Sequence, residues 1–296
     1  MTDNTAHGPR LAVLLVVIQM LIYGVSNPLA KIAYQSMTPL CCLTIRFALA
    51  LLILAAFSGR RTLRELRRAK PAAWLPASLC IAGAYITSNV AIKLTEVTTV
   101  GFLMSLPFLF TPLLTRLVLR RPYRPLFLLP QGLAVAGLYL LCASGGALAF
   151  GWGEALALLC ALCMAGALVW SERGLSGLSP LAISTAQIAV TFVLSLAGAL
   201  LFDGGLNFAA AAPAAWWITV FLAVFCSCVA YLLQNTALLY ASANLVSLTQ
   251  CLEPVFTASF SLLLLGEHLR GGGYLGAAIL IVCIVWGNRL EARRRD

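Results

Sequence analysis

Charge is what this sequence has least of. Among 296 residues only 10% are charged, with ten Asp and Glu against twenty Lys and Arg, and there are two histidines. A soluble domain usually carries about 25% charged residues, so this chain cannot clothe itself for water. The two histidines, His7 and His268, lie in the N-terminal tail and in a late turn. No Gly-x-Ser-Gly nucleophile segment and no paired carboxylates stand beside them, which argues against an intramembrane enzyme. A Gly-rich phosphate loop ending in Lys-Ser or Lys-Thr is also missing, and no soluble segment is long enough to host ATP. The sequence has no basic stretch interleaved with exposed aromatics, so the net charge of +10 does not point to nucleic acid. Cysteine is not scarce, at ten residues, but all lie in or at the ends of apolar segments. Cys160 and Cys163 have metal-like spacing without a second pair, so the cysteines read as small hydrophobes and neither a metal nor a cofactor is expected.

What the chain has in abundance is apolar sequence: 61% hydrophobic residues and a mean hydropathy of +0.94. About 20 consecutive apolar residues cross a hydrocarbon core. Apolar runs between Pro, Gly and Asp breaks predict ten spans, at 11–33, 39–57, 72–93, 98–119, 126–143, 153–171, 179–202, 214–238, 243–265 and 273–288. The first run is too long for a signal-peptide core and lacks a small-x-small cleavage site, so it reads as the first helix. With the N-terminus inside, the basic run 60–70, Arg120, Arg121, Arg124, Arg173, Arg289 and the tail arginines all fall on one side, leaving little beyond Lys31, Lys93 and Arg270 on the other. This asymmetry predicts a multi-pass protein of the cytoplasmic (inner) membrane with both termini in the cytoplasm. The basic run reads as a loop beside anionic lipid.

The pattern is also stated twice. Asn89-Val90-Ala91-Ile92 recurs as Asn235-Thr236-Ala237-Leu238 and Phe110-Thr111 as Phe256-Thr257, both at an offset of 146 residues, while Thr38-Pro39 is echoed by Ser179-Pro180. Five helices per copy is an odd number, so the second copy enters from the opposite side. The predicted fold class is all-α integral membrane, ten transmembrane helices as two inverted five-helix repeats, with domains at 1–145 and 146–296.

Tyr23-Gly24-Val25-Ser26-Asn27-Pro28-Leu29-Ala30-Lys31, Arg46-Phe47-Ala48, and Glu253-Pro254-Val255-Phe256-Thr257-Ala258 followed by Leu265-Gly266-Glu267-His268-Leu269 resemble signatures of the drug/metabolite transporter superfamily, in its EamA-like ten-helix branch. Two departures stand out. The first copy has Leu106-Pro107-Phe108 where the second has Leu252-Glu253-Pro254, and it ends in Arg120-Arg121-Pro122. The resemblance implies a carrier of small metabolites, in the direction of export, without naming the substrate. A subunit that only modulates a partner is the remaining alternative.

An ionisable group at a helix centre costs at least ~2.5–3.5 kcal/mol in hydrocarbon, so it usually faces the bundle interior. Arg46 and Glu253 are the two candidates, roughly 10 Å and 15 Å deep at ~1.5 Å per residue. They could form a buried salt bridge, or Glu253 could carry a proton or face a cationic group on the substrate. Glu154 and Arg116 lie near helix ends and are expected to snorkel. Around the two charges, Tyr23, Asn27, Tyr85, Ser88, Asn89, Trp170, Tyr231, Gln234, Asn235, Asn244 and Gln250 are candidates to line a central cavity. Interhelical hydrogen bonding is the alternative reading for each. Such a lining suits a small neutral or zwitterionic solute with an apolar part, such as an amino acid, moved by a proton gradient or by exchange. Pro28, Pro107, Pro112 and Pro254 each free a carbonyl, as hinges or as fixed kinks. Small residues at Gly132, Ala136, Gly273 and Ala277 allow close contact, within the bundle or in a homodimer.

Overall fold

The computed structural model describes residues 7–94, 102–121, 125–142, 151–206, 211–265 and 271–292. The side chains of Asn27, Lys31 and Asn89 lie outside that description, as do Pro122, Arg124, Gly146 and residues 266–270. Among the described residues there are helices and turns and no strand. The helices are α1 (His7–Ala33), α2 (Pro39–Arg68), α3 (Leu75–Leu94), α4 (Pro107–Val118), α5 (Leu128–Cys142), α6 (Trp152–Gly174), α7 (Pro180–Phe202), α8 (Pro213–Tyr240), α9 (Ala243–Gln250), α10 (Glu253–Leu265) and α11 (Gly271–Ala292). Five stretches, in α1, α2, α6, α7 and α8, are long and apolar enough to cross a membrane.

The helix starts follow the capping chemistry of the sequence. Thr38 accepts the Cys41 amide at 3.3 Å and Ser179 accepts the Ala182 amide at 3.2 Å, each ahead of a proline at the first helical position. Thus the Thr-Pro and Ser-Pro echo is one device used twice. The turn before α9 has neither Gly nor Pro. Ala241 is extended there, and Ser242 caps the helix by accepting the Leu245 amide at 3.4 Å.

Two expectations are corrected. α2 does not stop at 57, because the basic run continues as helix to Arg68. Charge does not break a helix, and the first proline after Pro39 is Pro71. The extension is held on one face, with Thr62 buried and Leu66 packed beside Leu178 and Ile183. Its Glu65 accepts both the amide and the hydroxyl of Ser179. The ninth span is not one helix but two, α9 and α10, broken at Cys251 and Leu252.

The helix pairing is that of a pseudo-two-fold. α2 packs on its own counterpart α7, and α5 on its counterpart α11; α3 against α6 is mirrored by α8 against α1, and α4 against α6 by α10 against α1. At the axis the breaks in the fourth and ninth spans meet, and the Cys251 Sγ approaches the Ser105 carbonyl at 3.9 Å, a pair separated by the repeat offset of 146. Gly24 permits the α1–α10 approach, because a Cβ there would lie 2.5 Å from the Cβ of Phe256. Gly137 does the same for α5 on α11, beside Ile279 and the Gly276 carbonyl, while Gly132 and Ala136 are exposed.

Candidate functional site

Two turns inside α2, Arg46 is 7% exposed and reaches across the repeat boundary into α8. Its Nε donates to Ser227 Oγ at 2.8 Å, and its Nη2 donates to the Cys226 carbonyl at 3.1 Å and to the Tyr85 hydroxyl at 3.5 Å. The Cys226 carbonyl lies where α8 is wound as a π-helix, over Leu222–Val229. The Ala230 amide is shared between the carbonyls of Phe225, five residues earlier, and Ser227, and not given to its α-helical partner Cys226, whose carbonyl receives the guanidinium. Arg46 also lies 5.3 Å from the Phe47 ring centroid and 5.6 Å from that of Tyr85, an arrangement that offers cation–π stabilisation in a desolvated place. Phe47 stacks edge-on to Tyr85 at 5.3 Å and tilts against Tyr231 at 6.3 Å. Tyr23 of α1 lies within the field of the same guanidinium.

Among the described residues, no ion pair joins Arg46 to Glu253. Glu253 heads α10 immediately after the break, half-buried, and its field reaches Cys160 in α6 and Cys226 in α8. The Arg46 guanidinium is satisfied instead by neutral oxygens of Ser227, Cys226 and Tyr85.

Beside this lies a chain of glutamines. Gln234 Oε1 accepts from Gln19 Nε2 at 3.0 Å and from Gln250 Nε2 at 2.9 Å, tying α1, α8 and α9 together. Gln19 is fully buried, and its own oxygen has no partner among the described residues. Tyr23 follows Gln19 by one turn on the same face. The sequence reading passed over Gln19, although a lone amide in an apolar run was the available signal. It also missed Ser227, whose role depends on a π-helix that carries no sequence mark.

The remaining candidates separate. Ser88 turns its hydroxyl back to the Tyr85 carbonyl at 2.8 Å, within one turn of the site. Asn235 faces the other way, donating to Ser184 and to Gln187, both at 2.9 Å, with Gln187 in turn donating to Ser171, so it knits α8 to α7 and α6. Trp170 and Asn244 lie at a different level. Arg173 sits 5.1 Å over the Trp170 ring near the end of α6, and Asn244 contacts Thr115 at 3.4 Å at the start of α9. Glu154 does not snorkel: it is 8% exposed and accepts the Gly151 amide at 2.8 Å, capping α6. Pro112 has no amide for the Phe108 carbonyl, and Gln131 of α5 supplies the missing donor at 2.7 Å. No group of three or more metal-ligating side chains occurs among the described residues.

The arrangement is a buried cation that joins α2 to the π-helical stretch of α8. An uncharacterized transporter from Archaeoglobus fulgidus is 26% identical over 265 residues, covering 90% of this chain and 82% of its own length. A solved structure, titled only as the crystal structure of a protein, superimposes with a TM-score of 0.80 over 96% of this chain and 99% of its own, at 18% identity, and so shares the fold. The EamA-like transporter family matches residues 10–143 and again 151–288. The chain belongs to the EamA-like transporter family.

Proposed function

We propose that this membrane transporter carries a small organic solute bearing a carboxylate and an amine, an amino acid or close relative, across the cytoplasmic membrane. In this reading both termini are cytoplasmic, energy comes from a proton gradient or from exchange, and transport runs by alternating access. Export is taken from the family resemblance alone.

One observation carries the substrate class: Arg46 is buried against neutral oxygens, with no carboxylate partner among the described residues. A buried charge without a counter-charge is costly, and a substrate carboxylate would offset that cost. Glu253, at the start of α10, is suited to the amine or to a coupling proton. Phe47, Tyr85 and Tyr231 offer an aromatic wall for the apolar part. A polyphosphate would need several cations, and the described interior offers Arg46 for that task. The paired helix breaks at Ser105 and Cys251 supply a joint between repeats, since irregular backbone at membrane depth is tolerated where it lines a cavity.

Purified protein in liposomes tests this by counterflow of labelled amino acids. Amino acids should compete, and their decarboxylated amines should compete at least tenfold less well. Equal competition by the amines would remove Arg46 from carboxylate recognition. Displacement by sugar nucleotides alone would overturn the substrate class.

A further inference from the structure

A cavity of about 710 Å³ opens at the C-terminal ends of α4 and α6. Its wall is basic and amphipathic: Arg120, Arg121 and Arg173 stand with Trp170, Glu172 and Leu117. The charges are not equivalent. Arg121 is paired with Glu172, the only ion pair among the described residues, and the other Glu172 oxygen accepts the Ala243 amide at 2.8 Å. Arg120 and Arg173 have no acidic partner among the described residues, so the notch holds two cations in excess.

Both are also placed, not merely exposed. Arg173 is stacked over Trp170 at 5.1 Å, which orients its planar fork. Arg120 is the one described non-glycine residue with positive φ, at 53°. A bulky residue held there carries backbone strain, which clusters at ligand clamps and switch regions. Directly above, Leu113 and Leu117, one turn apart, are 57% and 65% exposed and continue the notch into an apolar track. In a membrane chain such a track faces acyl chains, and Trp170 marks the interfacial level.

We propose that this notch is a binding site for an anionic phospholipid, with its headgroup phosphodiester between Arg120 and Arg173 and an acyl chain along Leu113 and Leu117. The shared chemistry, a singly charged phosphodiester, could also come from a soluble ester. The exposed leucine track favours the lipid, because a soluble anion has no use for it. The site is separate from Arg46 and does not depend on the proposed substrate.

Native mass spectrometry of delipidated full-length protein, titrated with phosphatidylglycerol or phosphatidylcholine, tests it. The wild type should retain phosphatidylglycerol preferentially. The double replacement Arg120→Ser with Arg173→Ser should weaken that binding about 30-fold, the sum of two arginine contacts of ordinary strength at an anionic surface. Arg64→Gln, on the exposed face of α2, should leave it unchanged. Preferential binding that survives the double replacement would overturn the site. Displacement by millimolar glycerophosphoglycerol, the soluble phosphodiester of the same headgroup, as readily as by lipid would overturn the lipid assignment in favour of a soluble anion. Should the double variant fail to fold, a photoactivatable phosphatidylglycerol on the wild type decides. Labelling in peptides spanning 113–121 and 170–176 supports the site, and labelling confined elsewhere overturns it.

Discussion

Arg46 and Ser227, 181 positions apart, are joined by a 2.8 Å hydrogen bond that crosses from one repeat to the other. The guanidinium uses two nitrogens there, one on the serine and one on the Cys226 carbonyl within the π-helical stretch. A lysine carries its three donors on a single nitrogen and cannot reproduce this planar two-nitrogen grip. Arg46→Lys should therefore reduce transport at least tenfold in liposomes, while extraction and size-exclusion behaviour stay normal. Ser227→Ala removes one bond to a charged group, worth about 1.5–3 kcal/mol, and should show the same direction with a smaller loss. Wild-type counterflow in Arg46→Lys would assign the pair to structure alone.

How far such a site was legible in the sequence depends on what each residue had to say. Helix starts were readable, because Thr38-Pro39 and Ser179-Pro180 carry their own caps. The two-fold was readable from the recurrent pattern, and the contact of Ser105 with Cys251 falls on the same offset. The length of α2 was not, since a run of arginines looks like a loop until Glu65 is seen bound to Ser179. Arg46 stood out as a charge in an apolar run, but its partners did not, because Ser227 is ordinary in sequence and a π-turn leaves no signature. For Trp170 and Asn244 hydropathy gave the segment but not the neighbours, which are Arg173 and Thr115.

Gln131 and Pro112 make a testable pair. Because proline leaves the Phe108 carbonyl without a helical donor, Gln131→Leu should strand that carbonyl in a buried place and cost about 1–3 kcal/mol. Thermal melting in detergent should show a lower midpoint than the wild type. Adding Pro112→Ala restores an amide to the helix and should recover most of the loss, giving a non-additive cycle. Simple addition of the two effects would deny that Gln131 acts through the proline's missing bond.

Orientation can be read by labelling, because the nine free cysteines described are buried or partly buried and give little background. Arg64 is exposed on the extension of α2, and Ala214 is exposed at the start of α8. With both termini cytoplasmic, Ala214→Cys should react with an impermeant maleimide on intact cells. Arg64→Cys should react only after permeabilisation. The opposite pattern would invert the assignment.

The proposed coupling role of Glu253 can be separated from a role in locking the fold. It begins α10 at the break between the halves of the ninth span, while Arg46 is held elsewhere by Ser227 and Cys226. Glu253→Gln should leave a folded, extractable protein that still exchanges substrate at equal pH but no longer concentrates it when a pH gradient is imposed. Preserved gradient-driven accumulation would remove Glu253 from proton coupling. A buried ion pair with Arg46 makes a different claim: breaking one partner costs about 3–5 kcal/mol and replacing both recovers it. Since no ion pair joins the two charges among the described residues, the stability losses of Arg46→Met and Glu253→Gln should instead add when combined. Recovery of thermal stability in the double variant would show that the pair forms in another state of the carrier.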